Sequence, residues 1–304
     1  MCTNDLQLAA IDIGTNAIRL LINQVSTNSS TQETKFRKIT LIRVPTRLGT
    51  DVFMDGKIGE EKKEQLFEAL KGFKHIMKAF EVEHYKAYAT SAMREAENGK
   101  LLVEQIAKTI GVNVEIISGE KEANTIYDAS ESKGIIDKHK CYLYIDVGGG
   151  STEVVVYKSG EKLVRFSFQL GTVRLLAGKV KEEELERFKL ELQRIYEKYA
   201  PESIVGSGGN INKIHKLLDK KPQEPLTYKE IKKLYKQAIE MTFEERMKKM
   251  QINAYRADVI VHALNIFCIA AKKCHINAII VPRVGLSDGI IQQLYTEKSK
   301  SLNK

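Results

Sequence analysis

Apolar residues come in short runs separated by glycine or polar turns, and the runs fall into two series with the same order. The first opens with "LQLAAID", passes through "IGTN" and resumes as "AIRLLINQV". After the polar turn "STNSST", Lys35 to Val44 form a third run, so residues 6–44 predict an antiparallel meander. Leu66, Leu70, Phe73, Met77 and Phe80 then recur at helical spacing. "YKAYAT" predicts a strand, Leu102, Ile106 and Ile110 mark a helix, and "VNVEII" alternates as a strand does. The order is βββαβαβ, followed by a helix from about Glu120.

The second series repeats it. "CYLYID", "EVVVYKS" and "KLVRFSFQ" predict three strands, and Leu185, Phe188, Leu192, Ile195 and Tyr199 a helix. "ESIVGSGGN" is a strand entering a glycine turn; three further helices and the strand "INAIIV" follow, and "KSKSLNK" looks frayed. "IDIGTNAIRLLI" can be laid over "IDVGGGSTEVVV", so that Asp12 meets Asp146, Gly14 meets Gly148 and Arg19 meets Glu153. Motif and element order together point to an internal duplication.

Composition bounds the class. The 304 residues are 43% hydrophobic and 29% charged, which suits two packed domains. With no run of eighteen apolar residues, no membrane span is expected, and Met1 to Asp5 show no signal-peptide pattern. Cys2, Cys141, Cys268 and Cys274 lack zinc-type spacing and suit reduced thiols in a cytoplasmic protein. A structural role is expected for His262, Cys268, Cys274 and His275, since the first three recur at intervals of six along a predicted helix and share no face. Arg256 and Asp258 suggest a salt bridge at a helix start. The net charge of +9 predicts a surface that concentrates anions.

The chemistry gathers at three strand-to-turn segments, Asp12–Asn16, Asp146–Thr152 and Gly206–Asn210. Glycines let a ligand reach the main chain, consecutive N–H groups in a concavity bind anions, and a helix N-terminus after Gly209 adds partial positive charge. Neither a P-loop nor a dinucleotide fingerprint is present. Asp12 and Asp146 end strands beside these turns, where they would repel phosphate unless a cation such as Mg²⁺ intervened, and Glu153 can join them. Each acid taken alone is equally a turn cap or a strand-edge residue.

The chain resembles the exopolyphosphatase/guanosine pentaphosphate phosphohydrolase (Ppx/GppA) family of the actin-like ATPase superfamily. The resemblance lies in "AIDIGTNAIRL", "TRLG", "ATSAMREAEN", "ISGEKEA", "IDVGGGSTE", "GSGGN" and "RADVI", in that order along almost the whole chain. It implies an α/β fold of two ribonuclease-H-like domains with mixed five-stranded sheets facing a cleft. The expected division is 1–123 and 124–304, the last helix packing back on the first domain. It implies that Glu122 is the catalytic carboxylate and that Arg94 contacts terminal phosphates. Asn16 and Arg19 would lie near the phosphates, while Gly148, Gly149, Gly150 and Ser151, with Gly208 and Gly209, would bind them. Asp146 and Glu153, with Asp12 as a further candidate, would serve Mg²⁺ and the attacking water. The family's Leu-Arg-Glu-Gly is replaced here by Leu286-Ser287-Asp288-Gly289, which removes an arginine from that corner.

The expected activity is Mg²⁺-dependent removal of terminal phosphate from linear polyphosphate. The alternative is hydrolysis of the 5′-phosphate of guanosine pentaphosphate. An ATP-dependent phosphotransferase is disfavoured by the Arg94 and Glu122 blocks, and retention of the three acids disfavours a non-catalytic polyanion binder. Basic stretches lack the interleaved aromatics that stack nucleic-acid bases. Helices at Lys181–Tyr199 and Tyr228–Met250 are candidate surfaces for a homodimer.

Overall fold

The structure, a computed structural model, describes residues 4–27, 33–132, 134, 136–137 and 139–302. Cys2 and residues 28–31 of the expected polar turn lie outside the described residues. The chain divides into two units, Met1–Ala129 with Leu286–Lys304, and Ser130–Gly285. The division expected at Ala123 therefore falls inside a helix whose residues to Ala129 go with the first unit.

The first unit runs β1 (Asn4–Ile13), β2 (Ile18–Thr27), β3 (Thr34–Val44), α1 (Leu48–Asp55), α2 (Glu60–Ala79), β4 (His84–Ala89), α3 (Ser91–Glu95), α4 (Gly99–Ile110), β5 (Val114–Ile116) and α5 (Gly119–Ser132). The sheet order is β3-β2-β1-β4-β5. The first three strands pair antiparallel, whereas crossovers through α2 and α4 make β1, β4 and β5 parallel. Leu66, Leu70, Phe73 and Met77 bury one stripe of α2, each contributing roughly 1.5–3 kcal/mol. The short α1 and α3 have too few turns for apolar periodicity to reveal them.

The second unit continues with β6 (Cys141–Val147), β7 (Thr152–Lys158), β8 (Glu161–Phe168), α6 (Thr172–Leu176), α7 (Glu182–Tyr199), β9 (Ser203–Ser207), α8 (Gly209–Leu217), β10 (Leu226–Thr227), α9 (Tyr228–Glu240), α10 (Phe243–Lys249), α11 (Ala254–Ala257), α12 (Ile260–Lys273) and β11 (Ala278–Ile280). Its sheet, β10-β11-β9-β6-β7-β8, has six strands rather than the expected five, because Leu226–Thr227 pairs antiparallel with β11. The remaining order and directions repeat the first sheet, the ribonuclease-H-like arrangement twice over. The expected Tyr228–Met250 helix is two, since Thr227 and Thr242 each form a capping box with the glutamate three residues on.

Ala254–Lys273 has the length and composition of a membrane-crossing helix, although no run of eighteen apolar residues occurs in it. It is interrupted after Ala257, and Ala263, Leu264, Phe267 and Ala270 lie buried in the second unit's core. Cys274 is buried there too, its thiol pushed up to about 12 by burial, and Cys268 likewise to about 11. The expected structural role of both fits these surroundings. In the first unit α13 (Leu286–Leu302) lies against β1, β2 and β4. Tyr295 Oη meets the Thr27 and Thr34 hydroxyls at 2.8 Å, and Gln293 joins Tyr88 to Thr125. Ser287 is buried at its start, so the Leu286–Gly289 corner begins a packed helix, and the tail expected to fray is helical to Leu302.

A buried histidine, His215, lies elsewhere than the cluster noted in the sequence. Its Nε2–H donates to the Glu224 carbonyl at 2.8 Å, while Nδ1 accepts from Arg283 at 2.8 and 3.2 Å. A second proton would have to go on Nδ1, facing a guanidinium. Burial, with Arg283 adding to it, holds the imidazole below the usual histidine range. The unfolded chain binds that proton near pH 6.5, so the contribution to stability is present above pH 6.5 and lost as pH falls below it. His215→Gln is expected to flatten the fall of the unfolding free energy from urea titrations between about pH 7 and 5.5, by up to about 1.4 kcal/mol per pH unit. An unchanged slope would remove His215 as its source.

Candidate functional site

The duplication is visible atom by atom at the two leading turns. Gly14 N donates to Ala17 O at 3.1 Å, and Gly148 N to Ser151 O at 3.0 Å. Asp12 faces Arg19 across β1 and β2, and Asp146 faces Glu153 across β6 and β7. Each sheet also carries a register shift on the second strand, after Ile22 and after Val156, ten residues beyond its aspartate.

The pairings extend these positions into polar rows. In the first sheet the row is Arg43, Arg19, Asp12, Tyr88. Arg19 is ion-paired with buried Asp12, so Asp12, proposed from the sequence as a metal ligand, is joined to a cation of its own chain. The turn is braced from below "TRLG": Gly49 N donates to Thr15 O at 3.0 Å and Arg47 N to Asn16 O at 3.4 Å. Two arginines and one carboxylate make this row net cationic, suited to phosphate oxygens.

The corresponding row in the second sheet is Ser167, Glu153, Asp146, Ser207. Leu143, Ile145, Val147, Val154 and Val156 point into the core, so alternation puts Asp146 and Glu153 on the opposite face. Glu153 is buried and both its oxygens are engaged, by Arg165 at 3.0 Å and Ser167 at 2.7 Å. Asp146 is buried beside it, its Oδ1 turned towards the β9 end, where a Cβ on Gly208 would lie 3.2 Å away. The buried Ser207 Oγ, opposite Asp146, has no hydrogen-bond partner among the described residues. This all-oxygen set suits a hard cation: Asp146 and Ser207 fit Mg²⁺, completed by water and phosphate oxygens. Glu153 is held in place by one hydrogen bond on each oxygen, from Arg165 and from Ser167. Among the described residues no group of three His, Cys, Asp or Glu could hold a metal by itself.

The Gly148–Ser151 turn is clamped by α6. Thr172 N donates to Gly148 O at 3.0 Å, Val173 and Arg174 N to Gly149 O at 2.9 and 3.0 Å, and buried Arg174 Nε to Gly150 O at 2.8 Å. In a trans peptide the N–H points opposite to its C=O. With three carbonyls held towards α6, the amides of Gly149, Gly150 and Ser151 point the other way, as an anion-binding nest requires. At the third turn Gly208 has φ +107° and opens α8. Arg256 donates to Gly209 O and, at 3.0 Å, to Asn210 Oδ1. It therefore braces this turn rather than serving only its own helix start.

The two specific sequence blocks lie in the first unit. Arg94, near the end of α3, donates to Ile117 O at 2.8 Å, tying α3 to the strand end that precedes α5. Its neighbour Glu95 accepts instead from Ser91 at 2.8 Å. Glu122 is half-buried in the first turn of α5, where its N–H donates to Ser118 O at 3.0 Å and Ser118 Oγ accepts from Lys121 N at 3.1 Å. Arg43, Arg165, Ser167, Arg174, Ser207 and the bracing role of Arg256 are not evident in the sequence. The alternation of Arg165 and Ser167 on β8 is the one available signal, and it needs the register to be useful.

The profile of the Ppx/GppA phosphatase family matches residues 27–298. The crystal structure of the Aquifex aeolicus Ppx/GppA family member is similar, with 30% identity, 96% of this chain and 99% of that chain covered, and a TM-score of 0.76. Among curated proteins, a guanosine-5′-triphosphate,3′-diphosphate pyrophosphatase of Vibrio vulnificus is 25% identical over 95% of this chain, which spans 59% of that protein. A putative exopolyphosphatase of Haemophilus influenzae is also 25% identical, with 96% of this chain and 92% of that protein covered.

Proposed function

We propose, from the premise that the chain belongs to the Ppx/GppA phosphatase family, that it removes the terminal phosphate from linear inorganic polyphosphate in the presence of Mg²⁺. The observation that carries this is the row of Ser167, Glu153, Asp146 and Ser207, buried at all but the exposed Ser167 and flanking the clamped Gly149–Ser151 amides. It combines carboxylates for water and cation with backbone donors for phosphate.

The roles follow from the donors. The Gly149–Ser151 amides and Arg94, with N–H groups beyond the one given to Ile117, would hold phosphate oxygens. Asp146 and Ser207 would hold Mg²⁺, which when bound neutralises charge on the phosphoryl group. Glu153, fixed by Arg165 and Ser167, has lone pairs left to orient a water. Glu122 would accept that water's proton as its oxygen attacks the terminal phosphorus. The bridging P–O bond breaks, releasing phosphate and a chain shorter by one unit.

Charge favours the polymer over a nucleotide. The first unit contains 20 Lys and Arg against 20 Asp and Glu, the second 28 against 19, so the whole excess of +9 is in the second unit. Hydrolysis of guanosine pentaphosphate is the second reading, favoured by relatives of equal identity that carry that name. Phosphate release from long-chain polyphosphate, shortening chains from their ends and abolished by a chelator of divalent cations, is the expected result. Turnover of guanosine pentaphosphate alone would replace it with the second reading.

A further inference from the structure

On α2 and α7 several cations pair with an acid one turn before them: Lys63 with Glu60, Lys71 with Glu68, Arg187 with Glu184, Lys189 with Glu186 and Arg194 with Glu191, while Lys74 donates to the Ile110 carbonyl. On α9, Lys229, Lys232, Lys233 and Lys236 are all exposed and none forms an ion pair among the described residues. Their spacing of three, four and seven places them on one helix face. Each therefore has a like charge as its neighbour, which disfavours the helix unless an anion lies along it. At 1.5 Å per residue the stripe is about 10 Å long, and it stops at Glu240.

The stripe shares its unit with the third phosphate turn. Lys213 and Lys216 of α8 follow Gly208 and Gly209 in the chain, and Lys220 then bridges to Glu224 at 2.8 Å and to Glu230 of α9 at 2.9 Å. Cations are crowded along this route: burial, then Arg256 and Lys216, push the Lys213 ammonium below its ordinary range. Tyr228 and Tyr235, the aromatic residues of α9, pack against the core rather than offering free faces for bases, and Lys232 lies 5.6 Å over the Tyr228 ring. A ligand here needs charge along its length and has no use for bases.

We infer that Lys229, Lys232, Lys233 and Lys236 form a secondary binding track for the distal part of a linear polyphosphate chain. This rests on the proposed function and extends it: the track gives affinity that grows with chain length, whereas a nucleotide or tripolyphosphate held at the phosphate turns would have no distal segment to place on it. Counterion release makes such binding salt-dependent.

The test compares wild type with K229Q/K232Q/K233Q/K236Q, and with K63Q/K71Q/K86Q/K189Q, which removes equal charge from paired lysines. Binding of long-chain polyphosphate, tripolyphosphate and single-stranded DNA is measured by fluorescence competition at several salt concentrations, and melting with and without polyphosphate. The α9 variant is expected to bind long chains at least about ten-fold more weakly, with a salt slope shallower by up to about 3. Tripolyphosphate binding and unliganded melting should not fall, and polyphosphate should no longer raise the melting temperature. The paired-lysine variant should behave as wild type. Equal long-chain affinity in the α9 variant and wild type would overturn the track, as would equal losses in both variants, or loss of DNA binding alone. Binding is read without turnover, so absence of hydrolysis by wild type would refute the proposed activity and leave the track standing on its own data.

Discussion

Glu122→Gln is expected to reduce phosphate release from long-chain polyphosphate by about 10²- to 10⁴-fold, the range of a lost general base. The substitution preserves shape and hydrogen-bonding reach, so the first turn of α5, held by Glu122 N to Ser118 O and by Ser118 Oγ to Lys121 N, should persist. Affinity for the polyanion should hold or rise, because a negative charge is removed. A bland role is also testable, since an acid in a helix's first turn favours the helix by its dipole alone. Glu120 shares that turn and is exposed. Glu120→Gln should therefore cost the same small amount of stability while leaving the rate within about two-fold, an order-of-magnitude bound for an effect below 1 kcal/mol. Comparable rates for the two variants, measured as kcat with saturating polyphosphate and Mg²⁺, would sink the assignment of Glu122 as base.

The elements and the two leading turns were legible because strands stop on aspartate and restart after glycine in both halves. The rows of side chains beside those turns were not, and β7 and β8 show why. Counting back from the hairpin pairs Lys158 with Glu161 and Tyr157 with Lys162, which would set Glu153 opposite Phe166. The register shift between Val156 and Tyr157 skips one residue and brings Ser167 opposite Glu153 instead. A shift of one turns every later side chain to the other face, and nothing in the residue types announces it. Arg165 and Ser167 consequently become partners of Glu153 only when the pairing is known. Arg174 and Arg256 were hidden for another reason, since each binds a main-chain carbonyl, of Gly150 and of Gly209, a group that is the same in every sequence. The Tyr228–Met250 helix was avoidable: Thr242 and Glu245 repeat the capping signature of Thr227 and Glu230.

Gly171→Ala carries the second large effect. A methyl group at Gly171 would lie 2.2 Å from Gly149 O and 2.3 Å from Gly150 C, backbone atoms that cannot swing aside. Either α6 retreats, breaking its bonds to the Gly148 and Gly149 carbonyls, or the turn shifts and its amides lose their aim. Strain of about 1–3 kcal/mol and roughly 1 kcal/mol for a lost buried hydrogen bond together predict a loss of about 2–4 kcal/mol. Displacing phosphate donors by about 1 Å should lower kcat/KM by roughly 10²-fold. Gly72→Ala is the control, because no atom lies within 4 Å of the added group. In the interior of α2 it should stabilise by about 0.5–1 kcal/mol and leave turnover unchanged. Urea midpoints and polyphosphate turnover distinguish the two. A Gly171→Ala protein that unfolds and turns over like wild type would show that the α6 clamp does not hold the turn.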